Sequence, residues 1–326
     1  MKLASLKNRT RDGSLVVVDR TLTTCVGVPQ IAMTMQQALE TWSASAPALA
    51  AIYDRLNAGR IAEAAPFQPH LAESPLPRAY QFLDGSVYLS HMRKARKARG
   101  AAMPPNFETE PLMYQAVSDG FIGPVDDMPL PTDELGVDME AEVAVIVDDV
   151  PMGIAAAQAG SHIKLVMLLN DYTLRSLTKT ELPKGFGFMQ AKPTSGFSPV
   201  AVTLDELPQW DGDTLNLPLV SSVNGKRIGA PNAGKDMYFT YPQLIAHAAR
   251  TRKLGAGTIV GAGTVANADE SAGSSCIAEL RANEELEHGK AVTPFLAFGD
   301  RVRIEMFDET GRSIFGAIDQ RLVKAR

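Results

Sequence analysis

The sequence predicts an α+β fold that is mostly β: a mixed, rolled β-sheet with a small α+β domain in front of it. Two observations carry this. From about residue 82 onward the chain breaks into many short apolar runs separated by glycine-rich turns, with few helical stretches among them. Ahead of that, a short mixed segment ends in the proline-rich stretch "AAPFQPHLAESPLPRAY", which reads as a linker running to Tyr80. A length of 326 residues also accommodates two domains at roughly 150 residues each. The expected domains are 1–74, small and α+β, and 75–326, larger and strand-rich.

The elements follow in order. Residues 2–6 and 14–19 read as strands on either side of a polar turn. "TMQQALETW" and "APALAAIYDRLNAG" read as helical, broken or bent near Pro47 and ended by Gly59. "EAEVAVIV" is a strand, "IAAAQAGSHI" a short helix, and "KLVMLLND" a buried strand ending on Asp171. "SPVAVT" and "LPLVSSVNGKRIG" are strands, the second folded at an "NGK" hairpin turn. "YPQLIAHAARTRKLGAG" is a helix from Tyr241, stopped by glycine. "TIVGAGTVAN", "SSCIAELRA" and "DRVRIEMFDETGRSIFGAI" complete a β-rich C-terminal half. "GAGTVAN" lacks the strand–helix context and full spacing of a dinucleotide fingerprint, which excludes a Rossmann reading.

Composition narrows the function classes. A net charge of -5 without a basic stripe gives nucleic acid no footprint, and the run "HMRKARKARG" from His91 reads as a solvated segment. Cys25 and Cys276 are the only cysteines, so neither a disulfide framework nor a zinc pattern is present. The N-terminus has no apolar signal core, and no apolar run approaches the roughly 18 residues of a spanning helix. The expectation is a cytoplasmic protein acting on a small molecule, with neither nucleic acid nor membrane as partner.

Chemistry begins at Glu140 and Glu142. Two residues apart on a strand, they point to one face and repel. A hard divalent cation with oxygen ligands accounts for the pair; water at an exposed strand edge is the alternative. Asp171 ends an apolar strand, where polar side chains reach into clefts, but it also fits a cap ahead of "YTLRSL". Asp84, in "FLDGSVYLSH", precedes a glycine and also fits a plain turn.

In order, these pieces resemble the fumarylacetoacetate hydrolase family over about residues 82–318. "MEAEVAVIV", a short helix, "LLNDYTLRS" and "QAKPTSGFSPVAV" follow the family's succession of E-x-E, a strand ending N-D, an Arg four residues on, and a Lys before a Ser-Pro strand. "GAGTVAN" followed by "SSCIAEL" resembles its C-terminal signature. The resemblance implies a rolled mixed-β fold, a Mg²⁺ or Ca²⁺ ion and a homodimer. It implies Asp84, Glu140, Glu142 and Asp171 as metal carboxylates. His91, seven residues after Asp84, matches the base of fumarylacetoacetases, and Glu279 the acid that orients it. Arg175 and Lys192 match cations that draw off the enolate left by carbon–carbon cleavage. Thr264 matches a threonine at the substrate's carboxylate end, and Tyr114 a substrate-facing tyrosine. Read without the resemblance, His91 is a loop residue and Glu279 a surface strand residue facing Arg281. Arg175 and Lys192 are then surface ion pairs worth little.

Three positions bear on the reaction. Lys94 stands where decarboxylase and acylpyruvase members carry a Glu, which removes that partner for His91. Thr178 replaces a Gln of fumarylacetoacetase, and after Lys192 either Thr194 or Ser195 takes the place of a family Thr near the metal. The function implied is hydrolysis of a 1,3-diketo acid, with fumarylacetoacetate from aromatic amino-acid breakdown as the substrate. Alternatives are a 2-keto-4-pentenoate hydratase, an acylpyruvate hydrolase or β-keto acid decarboxylase, and a metal-stabilised oligomeric scaffold.

Overall fold

The computed structural model describes residues 1–98, 102–103 and 105–325, without the side chains of His91, Ala95 and Ala98. The chain opens with strands β1 (Lys2–Leu6), β2 (Ser14–Val18) and β3 (Thr24–Gly27). Helices α1 (Met35–Glu40) and α2 (Trp42–Asn57) follow, then the short strand β4 (Ala65–Pro66). The helical break falls at Thr41 rather than near Pro47, which lies inside α2. Pro47 sits in the second turn of α2, where its missing N–H forfeits a single intrahelical bond.

Strand β5 (Phe82–Gly85) leads into helix α3 (Leu89–Ala98), which takes in residues 91–98 of the basic run expected to be a solvated segment. Strands β6 (Met113–Ala116), β7 (Met128–Leu130), β8 (Val137–Asp138) and β9 (Ala141–Val147) come next. A one-turn helix α4 (Ala156–Ala159) precedes β10 (Ile163–Asp171), β11 (Thr173–Leu174) and helix α5 (Arg175–Glu181). Then come β12 (Ser195–Phe197), β13 (Ala201–Val202), β14 (Leu219–Val223) and β15 (Lys226–Gly229). The β14–β15 hairpin turns at Asn224 and Gly225, both left-handed, as the "NGK" signal predicts. Helix α6 (Tyr241–Ala248) starts in a Thr240–Gln243 capping box and ends well short of the glycines that follow. The chain closes with β16 (Ile259–Gly261), α7 (Ile277–His288), β17 (Arg301–Met306) and β18 (Ile318–Lys324).

One segment differs in kind. "SSCIAELRA" was expected as a strand, but from Ile277 it is helical. Cys276 is extended and its sulfur accepts from Glu279 N–H, and Gly289 in the left-handed region stops the helix. The charged stretch "NEELEH" carries no period-2 alternation that a sheet could use, so helix wins.

Mixed sheets dominate. The large sheet runs β4-β3-β2-β1-β13-β10-β9-β16-β5-β6, so the N-terminal strands continue it through the β1–β13 pairing. A second sheet runs β15-β14-β17-β18-β7, and β8 pairs with β11. Both faces of β9 and β10 are buried, which is why they read as unbroken apolar runs. Val143, Val145 and Val147 face one core; Ala144 and Ile146 face another, shared with Leu3, Met35, Leu49 and Tyr53 of the N-terminal elements. Each large side chain buried there contributes about 1.5–3 kcal/mol. The second core face ends at one edge of the sheet, and there the pattern turns from apolar to acidic.

Candidate active site

Four neighbouring strands end together. Asp171 closes β10, Glu142 lies at the start of antiparallel β9, and Gly261 and Asp84 lie near the ends of β16 and β5. In the β-strand alternation Asp84, Glu142 and Asp171 continue the face of Phe82, Ala144 and Leu169. Their carboxylate oxygens lie within 4.8 Å of one another, and all three residues are buried. Asp84 is thus a strand residue with a side chain in the site, and not the plain turn residue its glycine neighbour allowed.

Glycines make the room. A Cβ on Gly261 would stand 2.3 Å from Oδ1 of Asp84. Gly263, left-handed and packed on the backbone of Gly85, gives its N–H to Oε2 of Glu142 at 3.1 Å. The "GAG" run therefore serves the carboxylates and not a phosphate.

Glu140 stands beside the three-carboxylate cluster rather than within it. Its Oε1 accepts from Arg175 at 2.6 Å and its Oε2 from Lys192 at 2.5 Å. Asn170 Oδ1 holds the Glu140 backbone N–H at 3.3 Å, which gives the Asn of the N-D pair its place. Lys192 also reaches Oδ2 of Asp171 at 2.5 Å, and the Tyr114 hydroxyl donates to the same oxygen at 2.7 Å. Ser195 donates to the other oxygen of Asp171 at 2.9 Å, while Thr194 turns outward to Gly120 O. Asp171 is no helix cap: its side chain is spent on these three groups.

Arg175 opens α5 and is anchored by Asp138, a residue that sequence reasoning missed. Arg175 Nε and Nη2 lie 2.8 and 2.7 Å from Oδ2 of Asp138. Asp138 also accepts the N–H groups of Ile277 and Ala278 at the start of α7, at 2.7 and 2.9 Å. The signal was present in "VDMEAEV", where Asp138, Glu140 and Glu142 alternate on one strand face. Arg175 and Lys192 are therefore not surface pairs; they are set among buried carboxylates.

Thr178 and Thr264 line the cleft, and the Thr178 hydroxyl donates to Arg175 O at 2.8 Å. Glu279 is buried on α7, not on a surface strand. Helix α7 packs on α3, and Oε1 of Glu279 lies 3.7 Å from Lys94 Nζ. His91 lies on α3, and its side chain falls outside the described residues.

The electrostatics are those of an acid-rich pocket. Burial pushes the Asp84 carboxyl up to about 7, helped by the charge of Asp171 and opposed by Lys192. Burial, with Asp84 and Asp171, holds Glu142 well above the usual carboxylate range. Burial opposes the charge on Lys192, but Asp171, Glu140, Asp84 and Glu142 outweigh it and keep the ammonium protonated. Arg175 is likewise held cationic by Glu140 and Asp138 against burial.

The donor set fits a divalent cation. Among the described residues, the buried Oδ1 of Asp84 and Oε1 of Glu142 have no hydrogen-bond partner. Five carboxylates, Asp84, Asp138, Glu140, Glu142 and Asp171, meet two cations, Lys192 and Arg175, so the ionised set carries an excess of negative charge that a divalent cation would offset. All-oxygen ligands suit a hard ion. The group opens into a cleft of about 460 Å³, whose outer wall is Met92, Leu112, Met113, Leu182 and Phe188. Arg96 is a further cation of that cleft, bonded to Ala102 O and to no carboxylate among the described residues.

The family model described as "Fumarylacetoacetate (FAA) hydrolase C-terminal" matches residues 81–323, and "Fumarylacetoacetase N-terminal domain 2" matches residues 1–78. A 2,4-didehydro-3-deoxy-L-rhamnonate hydrolase from Sphingomonas sp. (strain SKA58) is 29% identical over 184 residues, covering 56% of this chain and 61% of that protein. Two solved structures share the fold along 100% of both chains. One is the fumarylacetoacetate hydrolase of psychrophilic Exiguobacterium antarcticum, with a TM-score of 0.67 and 18% identity. The other is the maleylpyruvate hydrolase of Sphingobium sp. SYK-6 in complex with manganese(II) and pyruvate, with a TM-score of 0.66 and 18% identity.

Proposed function

The chain belongs to the fumarylacetoacetate hydrolase family, an enzyme superfamily of hydrolases and isomerases, and from that premise we propose that it hydrolyses a carbon–carbon bond of 1,3-diketo acids. Fumarylacetoacetate is the substrate we assign, with fumarate and acetoacetate as products. The observation that carries the reading is the convergence of Asp84, Glu142 and Asp171 beside the buried cation Lys192 and the half-buried cation Arg175 in one cleft.

Asp84, Glu142 and Asp171, with Glu140 beside them, would hold Mg²⁺ or Ca²⁺, which would supply Lewis-acid chemistry for the diketone. The chain's own residues do the rest. His91 takes a proton from water, and Glu279 orients its imidazole. In support, Glu279 meets α3 at Lys94, one helical turn beyond His91. The hydroxide adds to the carbonyl carbon beside the fumaryl group. The bond to the next carbon breaks, its electron pair leaves as the acetoacetate enolate, and His91 returns the proton to that carbon. Arg175 and Lys192 face the enolate's negative charge. Thr178, Thr264 and Tyr114 line the substrate's path, Tyr114 with its hydroxyl turned to Asp171. Arg96 supports a substrate with a second carboxylate, as fumarylacetoacetate has. Lys94 bears against a decarboxylase, since it places a cation beside Glu279.

The test is an absorbance assay with fumarylacetoacetate, acylpyruvates and oxaloacetate, each with Mg²⁺, Ca²⁺ or chelator. We expect fumarylacetoacetate to decay fastest, only with metal, and fumarate and acetoacetate to appear in equal amounts. Faster decay of another diketo acid reassigns the substrate, and turnover that survives the chelator overturns the metal. A homodimer in the cytoplasm belongs to the same reading, and sedimentation of the purified protein checks the dimer.

A further inference from the structure

We propose that Asp138 is a positioning residue that aims Arg175 into the cleft and locks it to the helix bearing Glu279; this rests on the reading above, in which Arg175 meets the developing enolate. Asp138 is fully buried and reaches no cleft itself. It lies on β8, whose partner β11 runs directly into Arg175, so paired backbones bring the two residues together. The Nε and Nη2 edge of the guanidinium is taken by Asp138, and Nη2 also serves Glu140. That leaves Nη1, which bonds to no described residue, on an arginine that lines the cleft and is 22% exposed. A planar fork held along one edge can present only the other.

The second tie runs to α7. The same carboxylate accepts the Ile277 and Ala278 N–H groups, and Glu279 follows at once on that helix. Displacing Asp138 therefore disturbs the cation and the helix that carries the acid together. A neutral Ser or Asn satisfies helix N–H groups without the cost of burying a charge. The buried carboxylate is explained by Arg175, whose Nε and Nη2 both meet Oδ2 and whose charge calls for a charged partner.

The test uses Asp138→Asn, which keeps an acceptor for the helix and removes the charge. With the assigned substrate, kcat is expected to fall about 10–100-fold with KM within about threefold, since the interaction matters as enolate charge develops. In an Arg175→Ala background the same change is expected to cost less than about twofold. An equal loss in both backgrounds, or a lowered melting temperature with kcat intact, overturns the proposal and leaves Asp138 a structural residue. A second readout needs no turnover. Oxalate, a planar dianion that presents negatively charged oxygens as an enolate does, is titrated calorimetrically onto the Mn²⁺-loaded protein. Asp138→Asn is expected to weaken oxalate at least about tenfold while Mn²⁺ affinity stays within about threefold; unchanged oxalate affinity, or no oxalate binding by the native protein, overturns the proposal. If Asp138→Asn does not fold, Arg175→Lys carries the test, because an ammonium cannot span Asp138 and Glu140 and still face the cleft. A tenfold loss of oxalate is again expected, and no loss overturns. A native protein that binds oxalate but cleaves no diketo acid sinks the proposed reaction and leaves the positioning role standing.

Discussion

The Ser195 hydroxyl donates to Oδ1 of Asp171 at 2.9 Å, while its neighbour Thr194 gives its hydroxyl to the backbone of Gly120. Ser195 opens β12 with its side chain toward the cluster, whereas Thr194, just ahead of the strand, is turned away from it. Ser195→Ala is expected to weaken Mg²⁺ binding by about tenfold, since a hydrogen bond to a charged group contributes about 1.5–3 kcal/mol. Thr194→Ala should bind like the native protein. Calorimetric titration of both variants decides; the reverse ranking would give Thr194 the role.

The metal-free protein should lose stability as pH rises. Asp84 keeps its proton up to about pH 7 in the folded chain, and Glu142 is shifted in the same direction. In the unfolded chain such carboxyls ionise near about 4. Between those values the folded state binds more protons than the unfolded state, so the slope of stability with pH is negative through this window. Melting temperatures in chelator from pH 5 to pH 8 should fall by several degrees through this window. Mg²⁺ should restore more at pH 8 than at pH 5, because the ion competes with those protons. A flat profile, or equal restoration at both ends, would remove Asp84 and Glu142 as the linked groups.

Gly261→Ala separates stability from ligation. Its φ is not in the left-handed region, so alanine meets no backbone penalty. The new methyl would lie 2.3 Å from Oδ1 of Asp84, and the short carboxylate arm must swing away. Overpacking of this kind costs about 1–3 kcal/mol, and we expect it to appear mainly as metal affinity lowered by about tenfold or more. Urea denaturation in chelator, compared with Mg²⁺ titration, measures the two separately. Loss of folding with native metal affinity would count against the glycine's role.

Much of this site was legible in the order of its residues once the family resemblance was drawn. Glu140, Glu142, Asp171, Arg175 and Lys192 come together as their motif predicts, because β9 and β10 are apolar, antiparallel neighbours and end in register. Local pattern failed where local signals conflict. "SSCIAELRA" is short and apolar enough for a strand, and its helix is decided by a thiol cap and by Asp138, some 140 residues earlier. Asp138 was missed altogether, although it stands two residues before Glu140.

By itself the sequence determined the chemistry available: hard oxygen donors, two cations and glycines where carboxylates need space, on apolar strands that must be buried. Only the tertiary structure decided which donors share a site. It set Glu140 against Arg175 and Lys192, chose Ser195 over Thr194, and made Asp138 the joint between Arg175 and α7. The physical reason is range. Alternation along a strand is set by neighbouring residues, whereas the distance between two charges is set by which strands pair, and an arginine takes whichever carboxylates that pairing leaves within reach.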